Sequence, residues 1–342
     1  MEFSMAPMEG ITNHLYRNCF GECYGGISRY YSPFIAVNAG ANMKIRDLKD
    51  VLPENNRAPV IPQILVNNSD DCIKACKNLQ GHGFTEVNIN MGCPSPTVTV
   101  KGRGAAMLAD LQILHLFLSR VFEGLGDTNL KLSVKSRIGI EDPAEFDGIL
   151  ATMADFPLKE WILHPRVLKE GYAGTPHLEI FCKKELSKCK FPIAYNGNIY
   201  QLSDYVKADE LIDFKGNCVS HVMLGRGLLI RPYLAENLAK WDSENCKMQE
   251  SQSKLSQNHE KTRIRSFYEM LLEAYKKEFT SESAILSHLK ELSFWWVKGF
   301  TNGEAYLKEM RKAKRLIELD NVFKRLLVNE EVIIDDGHFE II

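Results

Sequence analysis

Cys93 stands where a cysteine is rarely placed to fill a core. Residues 86–90 alternate polar side chains with Val and Ile as a short strand does, and Gly92 and Pro94 prevent that strand from continuing. Cysteine is usually buried and inert, so a structural role is the alternative for each cysteine of the chain. The Gly-Cys-Pro corner just past a strand instead favours a reactive or proton-donating thiol at Cys93.

The residues after this corner have the composition of a loop that covers a site. Residues 95–101 are polar and carry β-branched Val and Thr, and Gly102 and Gly104 precede an apolar helical pattern over 107–122. We therefore expect a mobile flap that carries Cys93 and is hinged on the glycines.

Strand-like and helix-like patterns alternate through the first two thirds of the chain. Two helices have clear start signals, since 69–71 can cap a helix over 71–80 and Asp142-Pro143 can open one over 144–156. Eight strands, each followed by a helix or a connection, predict a closed (β/α)8 TIM barrel rather than an open doubly wound sheet. The predicted strands are 3–7, 27–31, 60–65, 86–90, 132–136, 161–164, 192–195 and 221–224.

The active site of a TIM barrel lies at the C-terminal ends of its strands, where most of the predicted strands here carry polar residues. One polar residue at a strand end is more often structural, but polar residues at the ends of several strands lie on one rim and together indicate a binding site. The candidate residues at or near the strand ends, polar or not, are Pro7, Met8, Gln63, Asn90, Cys93, Lys135, Arg137, His164, Arg166, Asn196, Gly197, Asn198, Gly225 and Arg226.

Glycines after the last two predicted strands indicate a phosphate site. Gly197 and Gly225 let the backbone approach an anion closely, and Arg226 adds a fixed charge. Since Lys135 and His164 face the same mouth, the phosphate is best explained as the tail of a flavin whose pyrimidine edge lies near those two side chains. A tightly held nicotinamide cofactor is not expected, because the Gly-rich strand-to-helix fingerprint is missing.

Composition favours an ordinary folded protein with a large core. The chain has 342 residues, of which 45% are hydrophobic and 25% charged. The N-terminus lacks the pattern of a signal peptide, and no apolar run is as long as a membrane helix requires, so we expect a cytoplasmic protein. Cys19/Cys23 and Cys72/Cys76 have helical spacing and are predicted core residues, and the absence of a CxxC pair argues against a metal site.

The last third of the chain has a different pattern. Residues 242–260 are polar and nearly free of large apolar groups, which predicts a linker between a catalytic domain, 1–241, and a helical domain, 261–328, followed by a tail, 329–342. Helices are expected at 264–279, 285–297 and 306–316. Residues 258–328 hold 14 Lys+Arg against 10 Asp+Glu, so +4 in a chain of net charge −2. This excess indicates a nucleic-acid surface, with a solvated helix face as the alternative.

Several motifs together resemble a single family. They are Ala6-Pro-Met-Glu-Gly10, Asn88-Ile-Asn-Met-Gly-Cys-Pro-Ser95, Lys135-Ser-Arg-Ile-Gly139, His164-Pro-Arg166, Tyr195-Asn-Gly-Asn-Ile199, Val222-Met-Leu-Gly-Arg-Gly227 and His288-Leu-Lys-Glu-Leu-Ser-Phe-Trp-Trp-Val-Lys-Gly299. Over nearly the whole chain the sequence resembles the tRNA-dihydrouridine synthases, flavin enzymes that reduce specific uridines in tRNA. The resemblance implies FMN as cofactor, NADPH as electron donor and tRNA as substrate.

The resemblance also implies roles for individual residues. Cys93 is expected to protonate C5 of the uracil while reduced flavin passes hydride to C6, and Asn90 and Arg166 are expected to hold the uracil. The residues expected to contact FMN are Pro7, Met8, Gln63, Lys135, His164, Asn196, Gly197, Asn198, Gly225 and Arg226.

A uridine inside folded tRNA must leave its stack to reach such a site, so a second contact with the RNA is expected. Phe294, Trp295 and Trp296 are candidates for stacking on bases, although packing in the helical core is the alternative. Pro96 stands where many relatives have Lys, which puts one expected RNA contact in doubt, and Pro165 replaces a small residue. The basic residues expected to contact substrate are Lys101, Arg137, Lys290, Lys298, Arg311, Lys312, Lys314 and Arg315.

Two other hypotheses explain part of the pattern. An FMN barrel enzyme acting on a free pyrimidine shares the strand-end residues but leaves the helical domain without a role. A tRNA-binding factor with a vestigial flavin site does not explain Cys93, Asn90 and Lys135. We expect a monomer, and the position of the target uridine does not follow from the sequence.

Overall fold

The barrel is built from ten short strand segments in a computed structural model, which describes residues 1–126, 128–217, 219–244 and 253–334. The segments are β1 (Phe3–Met5), β2 (Arg29–Tyr31), β3 (Ile35–Ala36), β4 (Val60–Ile61), β5 (Gln63–Leu65), β6 (Glu86–Met91), β7 (Lys131–Ser136), β8 (Glu160–Leu163), β9 (Ile193–Tyr195) and β10 (Val219–Leu224).

The pairing of these segments closes into a ring of eight strands. Only Pro62 separates β4 from β5, and a proline has no N–H to give to a neighbouring strand. β4 pairs with β2, while β5 pairs with β3 and β6, so residues 60–65 act as one strand. The order β6-β7-β8-β9-β10-β1-β2 completes the circle. The predicted TIM barrel is confirmed, and β3 is an addition to the predicted strands.

Helices and helical turns connect the strands. The helices before residue 245 are α1 (His14–Cys23), α2 (Ile45–Lys49), α3 (Ser69–Gly81), α4 (Pro96–Thr99), α5 (Leu111–Leu125), α6 (Phe146–Ala154), α7 (Leu202–Ile212), α8 (Arg226–Ile230) and α9 (Leu234–Glu244).

The helix starts show which sequence signals were interpreted correctly. Asp142 caps the turn Pro143–Glu145 that leads into α6, as predicted. The cap of α3 is Asn68 rather than one of residues 69–71, because its side chain accepts a hydrogen bond from the Asp71 N–H. The predicted helix over 107–122 was wrong at its start, since a 3-10 helix, Gly104–Leu108, comes first and Asp110 then caps α5.

The chain divides into two compact units. The barrel unit comprises Met1–Pro7, Arg29–Asn198 and Lys207–Met223, and the helical unit comprises Met8–Ser28, Ile199–Val206 and the described part of Leu224–Ile342. The predicted linker, 242–260, contains the end of α9 and the start of the next helix, and its residues 245–252 lie outside the described residues. The predicted domain boundaries stay a prediction.

Apolar side chains fill one layer of the barrel interior. Ala6, Tyr31, Ile162, Ala194 and Met223 form a buried cluster contributed by five different strand regions. The layer combines small alanines with a large tyrosine, as close packing of side chains of different size allows.

A polar cluster lies at the N-terminal end of β8. Glu160 is almost fully buried and accepts hydrogen bonds from the Tyr31 hydroxyl at 3.0 Å and the Ser220 hydroxyl at 2.9 Å, while His221 Nδ1 lies 3.1 Å from its carboxylate. Burial alone raises the pKa of Glu160, but the hydrogen bond from His221, then the charges of His221 and Arg29, lower it overall.

The helical unit contains four further helices, α10 (Ser253–Glu278), α11 (Glu282–Trp296), α12 (Glu304–Lys312) and α13 (Leu316–Asn329). The predicted helix over 306–316 was wrong as a single element, because the backbone is extended at Ala313 and Arg315, where α12 ends and α13 begins. α13 itself was not predicted.

Aromatic rings pack α1 against α10 within this unit. Tyr16 and Phe20 of α1, and Tyr24 directly after it, surround Phe267 of α10, with centroid separations of 5.4, 6.3 and 5.6 Å. Such ring contacts stabilise a core beyond the area that they bury. None of the described helices is both long enough and apolar enough to cross a membrane.

Candidate active site

Cys93 lies in a loop that begins directly after β6, and Asn90 holds the start of that loop. The side-chain oxygen of Asn90 accepts hydrogen bonds from the Gly92 N–H at 3.1 Å and the Cys93 N–H at 2.9 Å. Asn90 Nδ2 donates to Gln63 Oε1 at 2.7 Å, and Gln63 is fully buried at the start of β5. Gln63 and Asn90, both predicted site residues, are thus bonded to each other, and Asn90 links them to the Cys93 backbone.

The far end of the loop returns to Cys93. The Ala105 N–H donates to the Cys93 carbonyl at 3.1 Å. Gly104 has a φ of 61°, and a Cβ there would lie 2.7 Å from that carbonyl oxygen, so only glycine fits without a shift. The predicted flap contains the short helix α4 between these points, and its mobility stays a prediction.

Two cations approach this loop from β7. Arg137 is fully buried, and it donates from Nε to the Gly92 carbonyl and from Nη1 to the Val167 carbonyl, both at 3.0 Å. Its Nη2 is buried with no hydrogen-bond partner among the described residues. A guanidinium nitrogen in this state is a donor available to a bound ligand.

Lys135 is half-buried and forms no ion pair with a described carboxylate. Burial, then the charge of Arg137, lower the pKa of Lys135 to about 7, although the Cys93 sulfur acts in the opposite direction. An ammonium that is partly withdrawn from water and lacks a counter-ion is costly, and an anionic ligand would relieve that cost. The charge state of this site therefore fits an anion-binding role.

A second group of predicted residues meets at the ends of β8 and β9. Arg166 is fully buried and directs Nη1 at His164 Nε2, 3.1 Å away, and at Asn198 Oδ1, 3.2 Å away. Because a guanidinium has only donors, Nε2 of His164 accepts, and Nδ1 of the neutral ring carries the proton. Arg166 also donates to the carbonyls of Ala173 and Gly174, so it fixes the loop above it.

That loop carries Tyr172, which the sequence analysis missed. Its ring centroid lies 5.3 Å from the guanidinium carbon of Arg137 and 6.3 Å from the ring of His164, and 58% of the residue is exposed. An exposed aromatic ring over two site residues suits contact with a planar ligand.

The remaining barrel residues of the predicted cofactor site follow β1 and β9. Asn196 Nδ2 donates to the Met223 carbonyl at 2.8 Å. A Cβ on Gly197 would lie 1.9 Å from the Tyr195 hydroxyl oxygen, which explains why glycine occupies this position. Pro7 directly follows the last residues of the β1 region and is half-buried.

Three predicted cofactor residues belong to the helical unit. The Met8 N–H donates to Thr12 Oγ1 at 2.9 Å. Gly225 precedes α8, and the guanidinium carbon of Arg226, the first residue of α8, lies 5.3 Å from the Tyr200 ring. Their part in the cofactor site stays a prediction.

The predicted RNA contacts differ in exposure. Lys298 is mostly buried and pairs with Glu304 at 3.1 Å, which leaves less of its charge for a phosphate. Lys290 is half-buried on α11, and Lys101 is exposed after α4. The basic residues that are exposed at the end of α12 and before α13 are Arg311, Lys312, Lys314 and Arg315.

The aromatic triplet of α11 divides between core and surface. Trp296 is 2% exposed and contacts Phe267 and Phe323, so the packing alternative holds for Trp296. Phe294 and Trp295 are half-buried, and the centroids of these two rings lie 4.9 Å apart.

The two cysteines Cys19 and Cys23, both predicted to be core residues, differ in burial. Cys19 is buried and Cys23 is only half-buried.

Comparison with known proteins gives one family. A family model described as dihydrouridine synthase (Dus) matches residues 4–330. A tRNA-dihydrouridine(16) synthase of Neisseria meningitidis serogroup B is 25% identical over 324 residues, which cover 93% of this chain and 92% of that protein. A probable tRNA-dihydrouridine synthase of Mycobacterium tuberculosis is 24% identical over 94% of this chain and 81% of its own length. The tRNA-dihydrouridine(16) synthase of Pseudomonas syringae pv. tomato is 27% identical over 70% of this chain and 75% of its own length.

Proposed function

The chain belongs to the dihydrouridine synthase family, and from this premise we propose that it reduces the C5–C6 double bond of uridines in tRNA, with FMN as cofactor, NADPH as electron donor and Cys93 as general acid. One observation carries the proposal. At the ends of β6 and β7 the Cys93 loop lies beside Lys135, which has no counter-ion among the described residues, and beside Arg137 Nη2, which has no hydrogen-bond partner among them.

The residues of the barrel unit fit a flavin at this rim. Lys135 supplies a cation for the pyrimidine edge, which carries negative charge in the reduced flavin, and Gln63 and His164 supply polar atoms beside it. When bound and reduced, FMN supplies the hydride that is added to C6 of the uracil. The residues proposed to hold it in this unit are Pro7, Gln63, Lys135, His164, Asn196, Gly197 and Asn198; Met8, Gly225 and Arg226 are proposed from the helical unit.

Cys93 is proposed to give its Sγ proton to C5 of the uracil. Thiols are mostly protonated at neutral pH and still transfer a proton to a carbon that gains negative charge, whereas a hydroxyl is far too weak an acid. Asn90 fixes the backbone of Cys93 through two accepted hydrogen bonds, so the thiol is placed before the substrate arrives.

Asn90 and Arg166 are proposed to hold the uracil carbonyls, with Arg137 beside them. Donors aimed at these oxygens stabilise the negative charge that builds up as hydride arrives. The exposed Tyr172 ring supports the same role, since it lies beside both Arg137 and His164.

The substrate is proposed to be tRNA rather than a free pyrimidine. A uridine must be turned out of the RNA to meet a barrel rim, and Arg311, Lys312, Lys314 and Arg315 give the helical unit an exposed cluster of positive charge for phosphates. The sign and exposure of this cluster support an RNA contact and do not by themselves choose the uridine.

The test uses purified protein, unmodified tRNA transcripts and NADPH. We expect bound flavin that is released as FMN, and dihydrouridine at defined positions when the tRNA is digested and analysed by mass spectrometry. Position 16 is examined first, because two of the relatives above carry it in their names. Equal activity on free uridine would favour the pyrimidine reductase, and a colourless protein that binds tRNA without reducing it would favour the binding factor.

A further inference from the structure

A single line of hydrogen bonds runs through the barrel from the Cys93 loop to a carboxylate at the start of β6. Every side chain between the two ends is buried, and each link is between 2.6 and 3.0 Å long. The links are Cys93 N to Asn90 Oδ1 at 2.9 Å, Asn90 Nδ2 to Gln63 Oε1 at 2.7 Å, Gln63 Nε2 to Asn88 Oδ1 at 2.8 Å, Asn88 Nδ2 to Ser133 Oγ at 3.0 Å and Ser133 Oγ to Glu86 Oε1 at 2.6 Å.

All five donors in this line point the same way. At the upper end, Asn90 must present its oxygen, because the Gly92 and Cys93 N–H groups can only donate. At the lower end, an ionised Glu86 can only accept, so the Ser133 hydroxyl must donate to it. The two ends therefore agree on one direction, and hydrogen bonds aligned in this way strengthen one another.

The shared direction of these hydrogen bonds fixes the orientation of the side-chain amides in the middle of the line. A side-chain amide can turn over and exchange its oxygen for its nitrogen, and only its partners settle which atom lies where. Gln63 accepts from Asn90 and donates to Asn88, so both of its polar atoms are assigned. Without an acceptor below it, Asn88 Nδ2 loses its partner, and the orientation of the Gln63 and Asn90 amides is then held by the Gly92 and Cys93 N–H groups alone.

We propose that Glu86 and Ser133 are positioning residues for this site: they set the orientation of the Gln63 and Asn90 amides from the opposite end of the strands and thereby hold the Cys93 loop. The consequence for uridine reduction rests on the function proposed above, whereas the consequence for the Cys93 loop does not. Glu86 touches neither Cys93 nor the rim, so its effect passes through the other side chains of the line.

The barrel supplies a matched control. Ser220 donates its hydroxyl to Glu160 at 2.9 Å, so Ser220→Ala removes the same group from a strand of the same barrel as Ser133→Ala does. Glu160 accepts from Tyr31 and Ser220, which are not members of the line to Asn90. A general effect of losing a serine at a barrel carboxylate should appear in both variants, and an effect on Cys93 should appear only in Ser133→Ala.

The first measurement follows the thiol directly. The flavin-free and FMN-loaded proteins are treated with iodoacetamide under native conditions, and the peptides that contain Cys93 and Cys72 are quantified by mass spectrometry over time. Cys72 is fully buried, so it reports unfolding. We expect Cys93 to react about tenfold faster in Ser133→Ala than in wild type, since a loosened loop exposes the thiol, while Ser220→Ala matches wild type and Cys72 stays protected in all three.

The second measurement separates positioning from binding. In Ser133→Ala we expect kcat for dihydrouridine formation to fall about tenfold with an unchanged KM for tRNA, because a displaced thiol affects the chemical step. Ser133→Ala that folds and leaves the Cys93 rate equal to that of Ser220→Ala would overturn the proposal. If Ser133→Ala does not fold, Glu86→Gln answers the same question, since the amide can donate as well as accept and no longer fixes the direction. Wild-type protein that reduces no uridine would refute the proposed function, and the alkylation comparison would still decide this inference.

Discussion

Gly104→Ala should move Cys93 without replacing any residue that is proposed to contact the substrate. Gly104 has a φ of 61°, and a Cβ built on it lies 2.7 Å from the Cys93 carbonyl oxygen and 3.1 Å from the Cys93 Cβ. Gly102 has almost the same φ, 65°, but its Cβ would meet only Asn67 Nδ2, at 3.3 Å. The two glycines therefore form a matched pair on the same loop.

The size of each effect follows from these distances. The left-handed backbone costs an L residue about 1 to 2 kcal/mol, and this cost applies to both substitutions. Gly104→Ala must also push Cys93 away by several tenths of an ångström, since 2.7 Å is closer than real Cβ contacts come. Overpacking against backbone adds about 1 to 3 kcal/mol. Because a displacement of about 1 Å can cost about a hundredfold in rate, we expect at least a tenfold loss of kcat in Gly104→Ala.

Urea unfolding and dihydrouridine formation are measured on both variants. Gly102→Ala should lose only the backbone term in stability and keep near wild-type kcat, and Gly104→Ala should lose more stability and most of its activity. Equal kcat values in the two folded variants would refute the claim that the Gly104 turn sets the position of Cys93.

Three other predictions follow from charge. In flavin-free protein the rate of Lys135 acylation should rise with pH, with a midpoint near pH 7, and bound FMN should protect Lys135 from acylation. Lys135→Met should weaken FMN binding about tenfold or more, as measured by fluorescence titration. The double variant Lys312→Ala/Lys314→Ala should reduce the slope of log affinity for tRNA against log salt by about 2, whereas Lys324→Ala, which removes a cation paired with Asp320, should change it less. Glu160→Gln should destabilise the fold by about 3 kcal/mol at pH 7, as measured by urea unfolding. The folded-state pKa of Glu160 is lowered, so the stabilisation that its carboxylate gives is complete above the unfolded-state pKa and is lost as pH falls through the folded-state pKa. The difference in unfolding free energy between the variant and wild type should therefore shrink in acid.

The barrel could be predicted because its strands are short, carry apolar residues in a strand-like pattern and are bounded by a helix or a turn, and that alternation is local information. Pro62 divides one predicted strand into β4 and β5, yet pairing on both sides holds it together. The break between α12 and α13 was missed, because the apolar spacing continues through the buried Ala313 although its backbone leaves the helical conformation.

The site could be predicted as far as residues lie directly after strands. Asn90 and Gln63 were chosen because they lie towards the C-terminal ends of predicted strands, and in the structure they are hydrogen-bonded to each other, with Asn90 also accepting from the Cys93 N–H. Tyr172 lies in an irregular loop that Arg166 holds in place, so no periodic pattern indicates it. Ser133 and Asn88 face the barrel interior, and the polar alternation of Asn88 with Asn90 was a signal that could have been used.

Single-turnover reduction of uridine tests the central claim most directly. Protein carrying reduced FMN is mixed without oxygen with tRNA that lacks dihydrouridine, and reoxidation is followed by the visible absorbance of the flavin. We predict rapid reoxidation with stoichiometric dihydrouridine in wild type and a rate lower by at least a hundredfold in Cys93→Ala, because the proton for C5 is lost. Full-rate reoxidation in folded, FMN-loaded Cys93→Ala would contradict the assignment of this thiol as the acid.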